Sequence, residues 1–344
     1  MRIRRDVSLI AHSPNDVELR HGIWNPISYT LRDEDKTEKL FAILSDLRSG
    51  VRPKEIARRH DSPRSDVEGL IDRLVELGVM ESGPATAIDY HLEKVTPLAS
   101  GVDGDVRRVR MLGDSALAAR VGALVGDTVG ADSVVQVPAG DPGWARLCEL
   151  NHEWLTDAVP FAAAIETFEP WKDDLVVLAQ DVVDPLVAQA LNRVAREVGF
   201  SWLYGAMDGP FLFVGPLTVP GEGGCFECFE RRVTMNLRAA QSYQEYKSAL
   251  ADGRVSGGTM EVAPVIEHML AAHLAFEVTN FALTGRTFTV SKVLAIYLPT
   301  MEISFNEVLK LPGCAGCDSA PLRDEKELYF DLQAMLGVPG TNTP

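Results

Sequence analysis

The sequence predicts an α/β chain in two parts: a small winged-helix domain, then a larger Rossmann-type α/β body closed by a four-cysteine metal site. Three observations predict it. Three β-favouring runs precede three helical ones within residues 1–82, strands and helices alternate from Val106 onward, and four of five cysteines form two CxxC pairs.

In the first part, "DVSLIAHSPNDVELRHG" reads as a hairpin turning at Ser13-Pro14-Asn15-Asp16, and "NPISYTLR" as a third strand carrying Ile27, Tyr29 and Thr30. A helix from about Asp35 to Leu47 places Leu40, Ile43, Leu44 and Leu47 on one face, and Gly50 ends it. "RPKEIARRH" gives a short second helix, and a third is opened by Ser62-Pro63 and closed by Gly78. This order is a winged-helix pattern. Residues 83–104 mix Gly, Pro, Ala and Thr and read as a linker with room for a short strand.

Residues 105–344 form the second domain. "VRRVRMLG" and "SVVQV" read as strands around a helix with Leu117, Val121 and Leu124 on one face, which implies a parallel sheet. "DDLVVLAQD" is a buried-strand run, "DPLVAQALNRVAREVG" a helix and "FSWLYGAMDGPFLFVGPL" a hairpin. A polar helix and a Gly-rich loop occupy 241–258, and a long helix follows. Its His268 and His273 are five apart, which is not the spacing of a shared metal pair.

With 344 residues, 46% of them hydrophobic, the chain can bury a core in each domain. No apolar run is long enough to span a membrane, and the N-terminus lacks the apolar core of a signal peptide, so a cytoplasmic protein is expected. A formal net charge of -16 repels a phosphate backbone and disfavours nucleic acid as a partner. In the winged-helix part, Arg58, Arg59, Arg64 and Arg73 are matched by surrounding acids, whereas an open sheet edge beside a helix is a receptor for an extended peptide.

Cys225 and Cys228 lie in "GGCFECFERR", and Cys314 and Cys317 repeat the spacing in "LPGCAGCDSA", 85 residues further on. Two such knuckles make a closed, tetrahedral, structural zinc site that fastens a late segment to a distant one. A redox dithiol lacks the usual flanking residues here, and Cys148 reads as a small core residue.

A nucleotide-binding body needs glycines between its first strand and helix. The turn is "MLGDSALAAR": Gly113 is present, but Asp114, Ser115, Ala116 and Ala118 replace the rest of the series, and Val137 stands where a ribose-binding acid belongs. Gly113 and Asp181 are what remains of a vestigial nucleotide site.

Taken with "FVGPLTVPGEGGCFECFERR" and "LPGCAGC", this order resembles the E1-like (ThiF-like) proteins of azole-forming peptide pathways, specifically the leader-binding partners of YcaO-type cyclodehydratases. The resemblance covers nearly the whole chain. It implies a PqqD-like recognition element whose third strand (Ile27, Ser28, Tyr29, Thr30, Leu31) and third helix (Val67, Leu70, Ile71, Leu74) receive the leader of a ribosomally made precursor. It also implies a homodimer, structural zinc, and ATP-dependent azoline formation at Cys, Ser or Thr by a separate YcaO subunit. The departures at Asp114, Ser115, Ala116 and Val137 imply a non-catalytic chain without ATP; an E1-like enzyme adenylating a peptide is the alternative.

Overall fold

The computed structural model describes residues 1–24, 26–81, 86–95, 106–256 and 262–317. The chain divides into two compact units, Met1–Tyr90 and His91–Pro344.

In the first unit, β1 (Arg2–Ile3) leads into β2 (Val7–Ser13), β3 (Asp16–His21) and β4 (Ile27–Arg32), which pair antiparallel in the order β2-β3-β4. Helix α1 runs over Leu40–Arg48, five residues later than the sequence suggests. Lys36 and Glu38 have φ of 52° and 63°, left-handed values that cannot propagate a helix, and the Asp33 carboxylate accepts from the Thr37 amide at 2.8 Å. Once begun, α1 buries Leu40, Ile43, Leu44 and Leu47. Helix α2 (Pro53–Arg59) adds Ile56, and α3 (Arg64–Glu76) adds Val67 and Leu74 to the same core, which the sheet completes with Val17 and Leu19. Beyond Gly78, at φ +71°, the chain returns as β5 (Met80–Glu81) and pairs with β1.

The stretch read as a linker contains helix α4 (Ala87–Val95); its residues 83–85 and 96–104, with room for the expected short strand, lie outside the described residues. Thr86 and Asp89 cap it reciprocally, each side chain accepting from the other's backbone N–H.

The second unit is built on a seven-stranded sheet among the described residues, ordered β12-β11-β10-β9-β8-β6-β7. Strand β6 (Val109–Leu112), helix α5 (Ala116–Val129) and β7 (Val134–Gln136) open it. Helices α6 (Pro142–Leu147) and α7 (Ala158–Ile165) then cross to β8 (Leu175–Gln180), α8 (Pro185–Val198), β9 (Ser201–Asp208) and β10 (Phe211–Thr218). Helices α9 (Phe226–Asn236), α10 (Ala240–Ala251) and α11 (Pro264–Thr284) precede β11 (Lys292–Tyr297) and β12 (Glu302–Glu307).

The sheet is mixed, not wholly parallel. Strands β6 to β9 run parallel, while β10, β11 and β12 continue from β9 as an antiparallel meander. All six residues of β8 are buried because both sheet faces are covered. Trp202 and Tyr204 pack with Leu191 and Val194 of α8 on one face. On the other, a Cβ on Gly205 would meet Leu274 of α11 at 2.4 Å.

Helix α5 buries Leu117, Ala118, Val121 and Val125, but Leu124 is 38% exposed; the buried stripe passes through Val125 instead. Cys148 caps the end of α6 and is exposed, so it is no core residue. Asp174 is held by Arg108 at 2.6 Å and Arg110 at 2.7 Å, neutralising a carboxylate that is otherwise cut off from water. No helix among the described residues is long and apolar enough to cross a membrane.

Candidate functional site

The four paired cysteines converge in the second unit. Cys225 is the residue before α9, Cys228 lies in its first turn, and Cys314 and Cys317 occupy the turns that follow β12. Their sulfurs all lie within 4.8 Å of one another, with Cys225–Cys314 at 3.8 Å and Cys228–Cys317 at 3.4 Å. A disulfide needs about 2.05 Å, whereas four sulfurs about 2.3 Å from a central zinc stand about 3.8 Å apart. The cluster has the dimensions and the soft donor set of a tetrahedral thiolate centre.

Its surroundings are close-packed. A Cβ on Gly224 would meet the Val308 carbonyl oxygen at 2.2 Å, and one on Gly316 would meet the Glu227 carboxylate at 2.6 Å. Glycine is required at position 224, where the obstacle is backbone. The Leu311 amide donates to Cys228 Sγ at 3.3 Å. Burial pushes the Cys225 thiol up, and it pushes Cys317 to about 11. At Cys228 the same burial is outweighed by donors from Leu311 and Cys225, and its pKa is lowered. A divalent ion is the natural counter-charge for such sulfurs.

Sequence reasoning missed the polar clamp behind the cluster. Asn192 Oδ1 accepts from the Phe226 amide at 3.2 Å, and Arg193 grips the Glu227 carboxylate through Nε at 3.0 Å and Nη2 at 3.3 Å. The signal was a lone acid, Glu227, inside an otherwise apolar knuckle.

In open α/β sheets, ligands sit beyond the carboxyl ends of the strands. Here Gly113 (φ +97°) follows β6 and Asp181 follows β8, two neighbouring parallel strands. Ser115 Oγ takes the Ala118 amide of α5, which removes a donor from the helix N-terminus. Arg120 is engaged by Glu267 at 2.7 Å. Asp181 has its pKa raised, first by burial and then by the Glu267 charge, so it already sits in a field that disfavours anions.

In the first unit, β4 pairs only with β3 among the described residues, leaving its outer edge open. Ile27, Tyr29 and Leu31 lie opposite His21, Leu19 and Val17, and so share the core-facing side of the sheet. Ile27 nonetheless remains 58% exposed and Tyr29 36%. Ser28 and Thr30 face the other way. On α3, Val67 and Leu74 are packed into the unit's own core at 1% and 0% exposure. Leu70 and Ile71 stand half-buried at its margin.

No family model matches the chain, and no curated protein matches it by sequence. Solved structures do. A heterocyclase in complex with substrate and cofactor superposes with a TM-score of 0.63 at 15% identity, and the heterocyclase TruD with 0.61 at 20%. E. coli MccB bound to AMPCPP and MccA superposes with 0.50 at 14%. The likeness is one of fold. Each match covers 92% of this chain but 39% and 42% of the two heterocyclases, against 99% of MccB. The chain thus spans about two fifths of the heterocyclases it matches.

Proposed function

We propose that this chain binds the leader region of a ribosomally synthesised precursor peptide and presents its core to a separate YcaO-type, ATP-dependent cyclodehydratase, which forms azolines at Cys, Ser or Thr. The observation that carries this reading is the open β4 edge with Ile27 and Tyr29 uncovered on the core-facing side. An extended peptide adding there gains main-chain hydrogen bonds from the edge and an apolar anchor from alternate side chains. Leu70 and Ile71 of α3 are the helix side chains left to meet it.

The heterocyclase and MccB likenesses support a place in peptide maturation. The four converging sulfurs support a structural zinc ion within the second unit. Catalysis then lies with the partner, and tethering the leader raises the effective concentration of the core at the partner's active site. A precursor leader encoded beside this chain is expected to bind with roughly micromolar affinity in calorimetry, as suits an added strand of modest area. Absence of any saturable heat removes the proposal.

The second reading is an enzyme that adenylates its peptide. The MccB likeness favours it, since that structure holds AMPCPP, and the acidic strand-end crevice opposes it. Peptide-dependent pyrophosphate exchange by this chain alone, lost in Asp181→Ala, decides for it.

A further inference from the structure

Resting on the reading of the four cysteines as a metal centre, we infer that Arg193 is the outer-sphere charge that sets how tightly the centre holds its ion. Four thiolates around a divalent cation leave a net charge of about -2, which is costly to bury without a compensating cation nearby. Cys225 and Cys228 are buried, as is Cys314.

Arg193 lies on α8, one residue after Asn192, whose side chain holds the amide of Phe226 inside the first knuckle. The guanidinium is fixed by its two hydrogen bonds to Glu227, the acid between Cys225 and Cys228, and the Glu227 carboxylate abuts Gly316 inside the second knuckle. Arg193 therefore stands where the two knuckles meet. Glu227 has a mixed effect: it orients the guanidinium and partly cancels its field at the sulfurs.

Charge and packing make opposite predictions for two variants. If Arg193 acts through charge, Arg193→Met loosens the ion, Arg193→Lys recovers most of the loss, and Glu227→Gln holds the ion at least as tightly as the parent. The last follows because glutamine still offers an oxygen to Arg193 but removes an anion beside the thiolates. If the clamp merely packs, all three variants loosen together.

A cavity of about 260 Å³ reaches Cys225 and Cys317, so a chelator in solution has a route to the centre. The experiment is chelator competition on the full-length chain with Zn2+ alone and with Co2+ alone, beside thermal melting in saturating metal. Arg193→Met is expected to bind 10- to 100-fold more weakly, the range outer-sphere partners command, while melting with saturating metal near the parent temperature. Parental affinity in Arg193→Met, or a Glu227→Gln loss as large as that of Arg193→Met, overturns the inference while leaving the metal centre in place. If Arg193→Met does not fold, the Lys and Gln variants still separate charge from packing. A parent chain that takes up no stoichiometric ion overturns the metal reading and this inference with it.

Discussion

The cysteine cluster and the strand-end crevice belong to the same unit and are built on opposite terms. Around the sulfurs, glycines give way to carbonyls and carboxylates, the nearby acid has its arginine, and the nearby amides have acceptors. At the crevice an acid is raised in pKa by burial and a second acid, the arginine is already taken, and the helix cap consumes an amide. Completeness marks a region that maintains the fold. The second region keeps two acids close enough for one to disfavour the other's charge.

The largest expected effect tests the first half of that contrast. Cys225→Ser, or stripping the metal with a chelator, should leave the second unit aggregated or misfolded, because a closed centre contributes folding free energy directly. Proteolysis of the stripped protein should spare the first unit, whose core contains none of the four sulfurs. A fully folded Cys225→Ser protein breaks the contrast.

Gly224→Ala comes next. Its Cβ meets a backbone carbonyl at 2.2 Å, so the loss should be about 1–3 kcal/mol in denaturant melts, with unchanged metal stoichiometry.

Tyr29→Asp on β4 should weaken leader binding about tenfold or more without altering the melting temperature, since the side chain is 36% exposed. An unchanged affinity moves the leader elsewhere.

The smallest effect sharpens the second half. Asp181 has a raised pKa in the folded chain, so its ionisation costs stability as pH rises from below the ordinary carboxylate value through the folded one. Asp181→Asn should therefore raise the melting temperature slightly at pH 7, with the gain fading as pH falls and the parent carboxylate protonates. A variant that instead loses stability at pH 7 shows that the carboxylate has a partner that favours its charge.

Charge divides along the same lines. Met1–Tyr90 carries 14 Lys and Arg against 16 Asp and Glu, a net of -2, and His91–Pro344 carries 19 against 33, a net of -14. The acidity that disfavours phosphate ligands belongs almost wholly to the second unit.

Much of this was legible in the residues. The i, i+3, i+4, i+7 series of α1, the apolar Leu175–Ala179 run of β8 and the cysteine spacing each state a local rule that nothing in the fold contradicts. Strands β11 and β12 were not legible. In Glu302–Glu307, Ile303 and Phe305 alternate with polar residues over only six positions, all six are exposed, and the pairing with β11 is decided across the sheet. The same holds for Val67 and Leu74: helical periodicity identifies the apolar face of α3, but only packing shows that the unit's own core uses them up. The Arg193–Glu227 pair joins residues 34 apart in sequence and left a single mark, the acid within the knuckle.

The separation of Cys228 from Cys317, 89 positions along the chain, has a consequence for biosynthesis. At 5–20 residues per second, the first knuckle emerges from the ribosome roughly 4 to 18 s before the second exists. During that interval two thiols stand as a half-finished claw, open to oxidants and foreign ions. Oxidation of either thiol in that interval leaves the second knuckle without its partner.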